Sequence, residues 1–319
     1  MKLSNANRLP ALAAIAAIAV SAMSLHVIAQ SPPPSPPVLP IFSDTFAAGT
    51  RAGWYASTTN AAAITSAPGS LAITRTGQSS AHLVTYFDPT TLAIGDKLTL
   101  NFTYRLSAVA TAEQLRFGLF DSGTSGHTGI DGHGTSGTSA TPNGLTNGFR
   151  DYTGYRGAIN MSSGSTAFLA FAERSAILDA DNQLLTAAGA YTGTLGETDT
   201  TNSIAKAFLG AGQDFDITFT LERTAASALE LFLQIAGKNT NDIPFTYSIT
   251  TTDTTSIVST FDTFAFSVNG TSGSGPDIIL KTIALTKTSA IPEPATTAAA
   301  IVGGVFIAIV ALARSRYRE

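Results

Sequence analysis

Leu98, Leu100, Phe102, Tyr104 and Leu106 alternate with Thr99, Asn101, Thr103 and Arg105. A period of two puts the apolar set on one side of an extended strand and the polar set on the other. Phe215, Ile217, Phe219 and Leu221 alternate in the same way with Asp216, Thr218, Thr220 and Glu222. After a short turn Leu229, Leu231, Leu233 and Ile235 take up the same period, so 214–236 reads as a β-hairpin. Further strands are predicted over 41–46, 70–75, 81–87, 114–120, 154–161, 166–172, 244–250, 261–268 and 278–286. The segments between them are turns rich in Gly, Ser, Thr and Asn, and the one helical candidate, 203–209, is short. About a dozen strands of this kind, each with one face buried and one wet, predict an all-β fold, an antiparallel β-sandwich or jelly roll.

The alternation stops at both ends. Lys2 and Arg8 precede an apolar, alanine-rich run from Leu9 to Met23, and Val27-Ile28-Ala29 offers a small-residue cleavage pattern before Gln30. Residues 1–29 therefore read as a secretory signal peptide, a signal helix cut between Ala29 and Gln30, with an uncleaved anchor as the alternative. The Pro-rich stretch within 30–40 is an extended spacer. At the other end no residue from Ala295 to Ala313 is charged, and Arg314, Arg316 and Arg318 follow at once. That run is long enough for a transmembrane helix across ~30 Å of hydrocarbon, and the arginines read as a stop-transfer signal that keeps the C-terminus in the cytoplasm. The lipid bilayer is thus an expected partner through 295–313. The domain order is a signal peptide (1–29), a spacer (30–40), one β-sandwich domain (41–287) and a tail (288–319).

The chain has 319 residues, a formal net charge of −4 and no cysteine. Only 13% of residues are charged, about half the usual ~25%, and no basic patch marks a nucleic-acid partner. The absence of cysteine removes disulfides, thiolate metal sites and a thiol nucleophile.

Two resemblances rest on these residues. Pro292, Glu293 and Pro294, the uncharged span and the trailing arginines, in that order, resemble the PEP-CTERM sorting signal. The resemblance implies an exosortase-type membrane protease as partner, recognising Pro292-Glu293-Pro294 and cutting near it. The protein would be held in the inner membrane by the C-terminal helix and then reside at the cell surface, in the envelope or in secreted matrix. A plain single-pass anchor with an incidental Pro-Glu-Pro is the alternative. The opening Ile41-Phe-Ser-Asp-Thr-Phe46, followed by Gly53-Trp54, and the closing strand 278–286 look like those of concanavalin A-like (laminin-G-like) jelly rolls. That family pairs its first and last strands, and many members bind or cleave glycans.

Glycan cleavage needs two carboxylates about one sugar bond, and in this family they lie on one strand as Glu-x-Asp-x-Glu. The motif is absent, and its nearest approach, Glu197-Thr-Asp199, sits in a polar loop, so no enzyme is expected. His82, His127 and His133 remain after signal removal; His82 begins a strand, while the other two lie in a glycine-rich loop that is expected to hold neither firmly enough for base catalysis. Long loops at Asp121–Arg150 and Ser175–Ala205 are candidates for function. They carry Asp121, Asp131, Asp179 and Asp181, oxygen ligands of the kind calcium prefers, though without metal-loop spacing; turn-forming aspartates are the alternative, and no cofactor is required. For a polysaccharide partner the candidates are Tyr152, Tyr155 and Arg156, just after the first long loop, and Trp54, provided their faces are exposed. The reading is an exported, membrane-tethered or exosortase-processed envelope or matrix protein with a structural role. The alternative is a glycan-binding, lectin-like module.

Overall fold

Among the described residues fifteen strands form two antiparallel sheets. The computed structural model describes residues 35–290 apart from 58–63, 75–79, 109–113, 125, 134–147, 162–168, 175–183, 186–190, 192–193, 198–208, 210, 240 and 270–276. Sheet A runs β13 (Pro244–Asp253), β12 (Ala228–Lys238), β11 (Asp214–Ala225), β6 (Lys97–Leu106), β15 (Ile278–Thr288), β4 (Ser70–Ile73), β3 (Ile64–Ala67), with β1 (Val38–Asp44) beside the second half of β15. Sheet B runs β10 (Thr194–Glu197), β9 (Leu169–Arg174), β8 (Thr153–Asn160), β7 (Gln114–Asp121), β14 (Thr260–Asn269), β5 (Ser80–Thr91), β2 (Trp54–Ala56). Pro37–Ala290 forms one compact unit.

The alternation expected in β6 is realised: Leu98, Leu100, Phe102, Tyr104 and Leu106 are buried and the residues between them are not. They meet the inward residues of sheet B, so that Phe102 packs edge-on to Phe117 with ring centroids 5.0 Å apart and to Phe266 at 6.0 Å. Phe117 in turn meets Phe219 of sheet A at 5.7 Å. Interleaving of aromatic rings from facing sheets is the core of a sandwich. The first and last strands pair from Val38↔Thr288 to Asp44↔Ile283, as the jelly-roll resemblance implies.

The opening motif closes on itself. Asp44 accepts the Phe46 amide through Oδ1 at 2.6 Å and the Trp54 indole Nε1–H through Oδ2 at 2.9 Å. Trp54 is thereby fixed in the core against Phe42, Phe46 and Phe264, at 6.0, 5.8 and 5.9 Å. Its single polar atom is satisfied inside, which is what a buried indole requires.

Two expectations are corrected. Three strands, β2, β3 and β10, lie outside the predicted set; at three or four residues each they give a period little room to show. The one-wet-face rule holds for sheet A and fails for sheet B. All eight residues Phe261–Val268 of β14 are buried, as are the five described residues of β5 from His82 to Phe87 other than Tyr86. Loop segments cover the middle of the outer face of sheet B. The helical candidate 203–209 lies outside the described residues except for Leu209, which is buried. The signal segment 1–29 and the span 295–313 also lie outside them, and among the described residues no helix is long and apolar enough to cross a membrane.

Candidate functional site

The outward row of sheet B runs Tyr55, Val84, Ala265, Gly118, Arg156, Ala172 across six strands. Small residues along its middle leave depth, which Phe149, Tyr152, Leu184 and Leu185 fill by packing on Val84, Phe120 and Ala265 as a second hydrophobic cluster. Arg174, fully buried, holds the first of these segments: its Nε donates to the Tyr152 carbonyl at 2.7 Å and its Nη2 to that of Phe149 at 2.8 Å. Arg116 and Arg156 hold the second, both donating to the Leu185 carbonyl, at 2.8 and 3.4 Å. Burial and the neighbouring Arg156 push the Arg116 guanidinium down to about 10. Gly154 adopts φ 151°, and a Cβ there would collide with the Leu119 carbonyl, so the close approach of β7 and β8 needs glycine.

At the β5–β2 margin this cover gives way to partly exposed rings. Alternation in β2 sends Trp54 and Ala56 inward and Tyr55 outward, and β5 sends Tyr86 to the same side. Tyr55 and Tyr86 lie 6.1 Å apart, and the His127 imidazole stacks on Tyr86 at 4.0 Å with 12° between the planes. His127 Nε2 lies 3.1 Å from Asp262 Oδ2, and 42% of its side-chain surface stays open. Asp262 sits where the β14–β5 register shifts, a bulge that re-aims one side chain. It is held by the Ser122 amide at 2.9 Å, the Ser122 hydroxyl at 2.5 Å and the Thr263 hydroxyl at 2.7 Å. Burial pushes the Tyr86 phenol up to about 12, so it stays a neutral donor and acceptor, taking the Thr128 amide at 3.0 Å.

Beside these rings is an open depression of ≈ 360 Å³ lined by Arg51, Ala52, Gly53, Trp54, Tyr55, Gly129, Ile130 and Asp131. Arg51 grips Asp131 with both amino groups, Nη1 to Oδ1 at 2.8 Å and Nη2 to Oδ2. Asp131 Oδ1 also takes the Ala56 amide at 2.9 Å, and Gly132 donates to the Ala56 carbonyl at 2.9 Å. The loop thus laces along the free edge of β2. Burial opposes ionisation of Asp131, but Arg51 and the Ala56 amide outweigh it and hold the carboxyl below its usual range.

The sequence-derived sites fare unevenly. Trp54, Tyr152 and Tyr155 are buried, so the condition of an exposed face is not met and none offers a ring face to a sugar. Each is anchored from within: Tyr152 donates to the Gly126 carbonyl at 2.6 Å, and Tyr155 to Asp253 at 2.7 Å inside the core. Arg156 is turned to the covering segment, its guanidinium 4.0 Å over the Tyr191 ring. The long loop does not leave its histidines loose either. His127 is clamped between Tyr86 and Asp262, and His133 is buried against His82 and Phe149 at 5.5 and 5.4 Å. Neither imidazole nitrogen of His82 has a hydrogen-bond partner, and burial and nearby His133 hold its pKa well below the usual value.

Asp121 accepts the Gly123 amide at 2.9 Å as a turn aspartate does, and Asp131 pairs with Arg51 and accepts the Ala56 amide. Asp179 and Asp181 lie outside the described residues, as do Ala29, Gln30, Pro292, Glu293, Pro294, Arg314, Arg316 and Arg318. Among the described residues no three His, Asp or Glu side chains converge to hold a metal ion. Sequence reasoning missed Tyr55 and Tyr86. Their signal was present: Tyr55 neighbours an inward Trp54, so the strand period turns it outward.

No protein-family model matches the chain, and no curated protein matches its sequence. Solved structures similar to it in fold include peanut lectin with a 9-mer peptide, at 11% identity, covering 80% of this chain and 100% of that one, TM-score 0.42. Lectin II from Ulex europaeus is similar at 10% identity, with 80% and 100% covered and TM-score 0.44. The CBM2 module of the evolved Dit protein of Lactobacillus casei BL23 phage J-1 is similar at 11% identity, with 81% and 100% covered and TM-score 0.46. The two-sheet assignment stands on the chain's own strand registers.

Proposed function

We propose that the chain is an exported carbohydrate-binding protein that takes its ligand at the β2 margin of sheet B, on Tyr55, Tyr86 and His127 with Arg51 and Asp131 beside them. One observation carries this reading: Tyr55, set beside the partly exposed Tyr86 and the stacked His127, lines an open depression that is rimmed by the paired guanidinium and carboxylate of Arg51 and Asp131. Ring faces suit the C–H faces of pyranoses, while a guanidinium and a carboxylate suit their hydroxyls. Because Tyr86 and His127 are locked by Thr128, Asp262 and their own stacking, little side-chain entropy is lost on binding. A glycan array probed with the purified protein tests this. Tyr55→Ala should weaken any sugar bound by about 10-fold, about 1.4 kcal/mol, with Tyr55→Phe close to wild type. Binding unaffected by Tyr55→Ala would sink the assignment of the site.

The structural or matrix reading is favoured by a different observation, the hydroxyl- and amide-rich outer face of sheet A. Thr286, Thr99, Thr220, Phe232 and Thr250 form one row across five strands, and Ala284, Asn101, Thr218, Gln234 and Ser248 form the next. An array with no sugar bound would leave that reading in place. For the tail, the proposal is processing by an exosortase-type protease at Pro292-Glu293-Pro294, supported by the order of motif, uncharged run and arginines. C-terminal mass spectrometry in a host with the protease should find a shortened chain that Glu293→Ala abolishes; full-length protein in both would reduce the tail to an anchor.

A further inference from the structure

One end of sheet A is defined by the row Val38, Thr288, Lys97, Glu222, Glu230, Thr252. Both ends of the compact unit leave from it, with the Ser289 amide on the Pro37 carbonyl at 3.4 Å and Ala290 against Gly95. The turns that close this end are bound to one another: the Gly95 amide donates to the Arg223 carbonyl at 2.6 Å, and the Arg223 amide to the Asp96 carbonyl at 3.0 Å. Val38, Leu39 and Ile94 are 60%, 51% and 56% exposed here, three of the five large hydrophobic residues exposed among the described residues. Thr224, Ala225, Ala226 and Ser227 of the β11–β12 turn, also exposed, add no charge. The ionic groups behind them are mostly engaged: Lys287 with Asp96 at 2.7 Å, Lys97 with Glu222 at 2.5 Å, and Arg223 on the Leu92 carbonyl at 2.8 Å.

We infer that this end is a lipid-contact surface, with Val38, Leu39 and Ile94 dipping into the headgroup region while the tail holds the chain in the membrane. The inference rests on the tail reading given above, since the apolar run begins at Ala295. Five Cα steps separate Ala290 from Ala295, and a fully extended chain covers at most ~18 Å in that many steps. The interfacial zone outside the hydrocarbon is itself ~5–7 Å deep. A run inserted from Ala295 onward therefore keeps this end near the bilayer, and exposed aliphatic side chains whose charged neighbours Lys97, Glu222, Lys287 and Asp96 are paired with one another gain by entering the interface. Ile243 is the matched control. It is 57% exposed, but it sits in the β12–β13 turn, about 35 Å away along eleven-residue β12.

The chain has no cysteine, so a single introduced thiol labels uniquely. Full-length Leu39→Cys, Ile94→Cys and Ile243→Cys, each carrying an environment-sensitive fluorophore, are reconstituted into phosphatidylethanolamine–phosphatidylglycerol vesicles with nitroxide-labelled lipid. Flotation of the vesicles is scored in the same samples. The expected result is co-flotation, with blue-shifted emission and at least about twofold quenching at positions 39 and 94 and none at 243, because interfacial apolar side chains enter ~5–10 Å into the headgroup/acyl boundary, among the labelled lipids. Co-flotation without quenching at 39 and 94, or with equal quenching at 243, overturns the lipid surface and leaves the tail reading standing. A blue shift that grows with protein density but is not quenched also overturns it, in favour of a contact between copies. Failure to float overturns the tail reading and the lipid surface together.

Discussion

The outer faces of the two sheets are built from the same strand geometry and serve opposite ends. On sheet A the polar set stays in water and neighbours satisfy each other sideways: Arg105 with Asp214 at 2.6 Å, Thr103 with Asp216 at 2.7 Å, Thr218 with Asn101 at 2.9 Å. On sheet B the outward set is small, aromatic or cationic, and a second layer of chain lies on it, tied down by Arg174, Arg116 and Arg156. Removing a group from water and then pairing it makes each polar contact costly to lose, whereas solvated cross-strand pairs are nearly free to lose. Position relative to solvent sets the weight of a contact here. On the described part of sheet B the same burial leaves rings that are both fixed and reachable at the β2 margin.

The sharpest way to break this contrast is at Arg174. Arg174→Met keeps the stem but strands the Phe149 and Tyr152 carbonyls, and should cost about 3 kcal/mol in urea denaturation. A loss as small as that of a surface residue would mean the covering layer is not a real core. Next in size is His82, between the sheet and its cover. Its folded pKa lies below the unfolded value, so the unfolded chain binds the extra proton. Stability should therefore be level above ~6.5 and fall below it, at a slope approaching about 1.4 kcal/mol per pH unit. His82→Leu should flatten its share of that fall while changing stability at pH 7.5 by less than about 1 kcal/mol, because the imidazole makes no hydrogen bond to lose. Melting curves from pH 7.5 to 5 in both proteins check this. The smallest effect belongs to sheet A: Arg105→Ala or Asp214→Ala should cost about 0.2–1 kcal/mol and less in high salt. A larger loss there would erase the distinction between the faces.

Long strands were legible because they repeat. β6, β11 and β12 each show four or five apolar residues in step, enough to assign strand and inward face without coordinates. β14 shows the limit: Phe261, Phe264 and Phe266 enter the inner core, helped by the register shift at Asp262, yet Thr263, Ala265 and Ser267 are equally buried. Small polar residues on an outward face look alike whether water or another segment covers them. For the same reason nothing in the sequence separates the buried Tyr152 and Tyr155 from the more exposed Tyr55 and Tyr86.

The sequence by itself determined the two-sided strands, the sandwich class, the partnership of first and last strands implied by its opening motif, and the uncharged run at the C-terminus, since these depend on local period and composition. Only the tertiary structure decided which outward face is wet, which rings reach the surface, and that His127 is clamped rather than loose. Those outcomes depend on contacts between residues far apart in the chain, such as His127 with Asp262 and Arg51 with Asp131, and the solvent exposure of a side chain is a property of what lands on it rather than of its own neighbours in sequence.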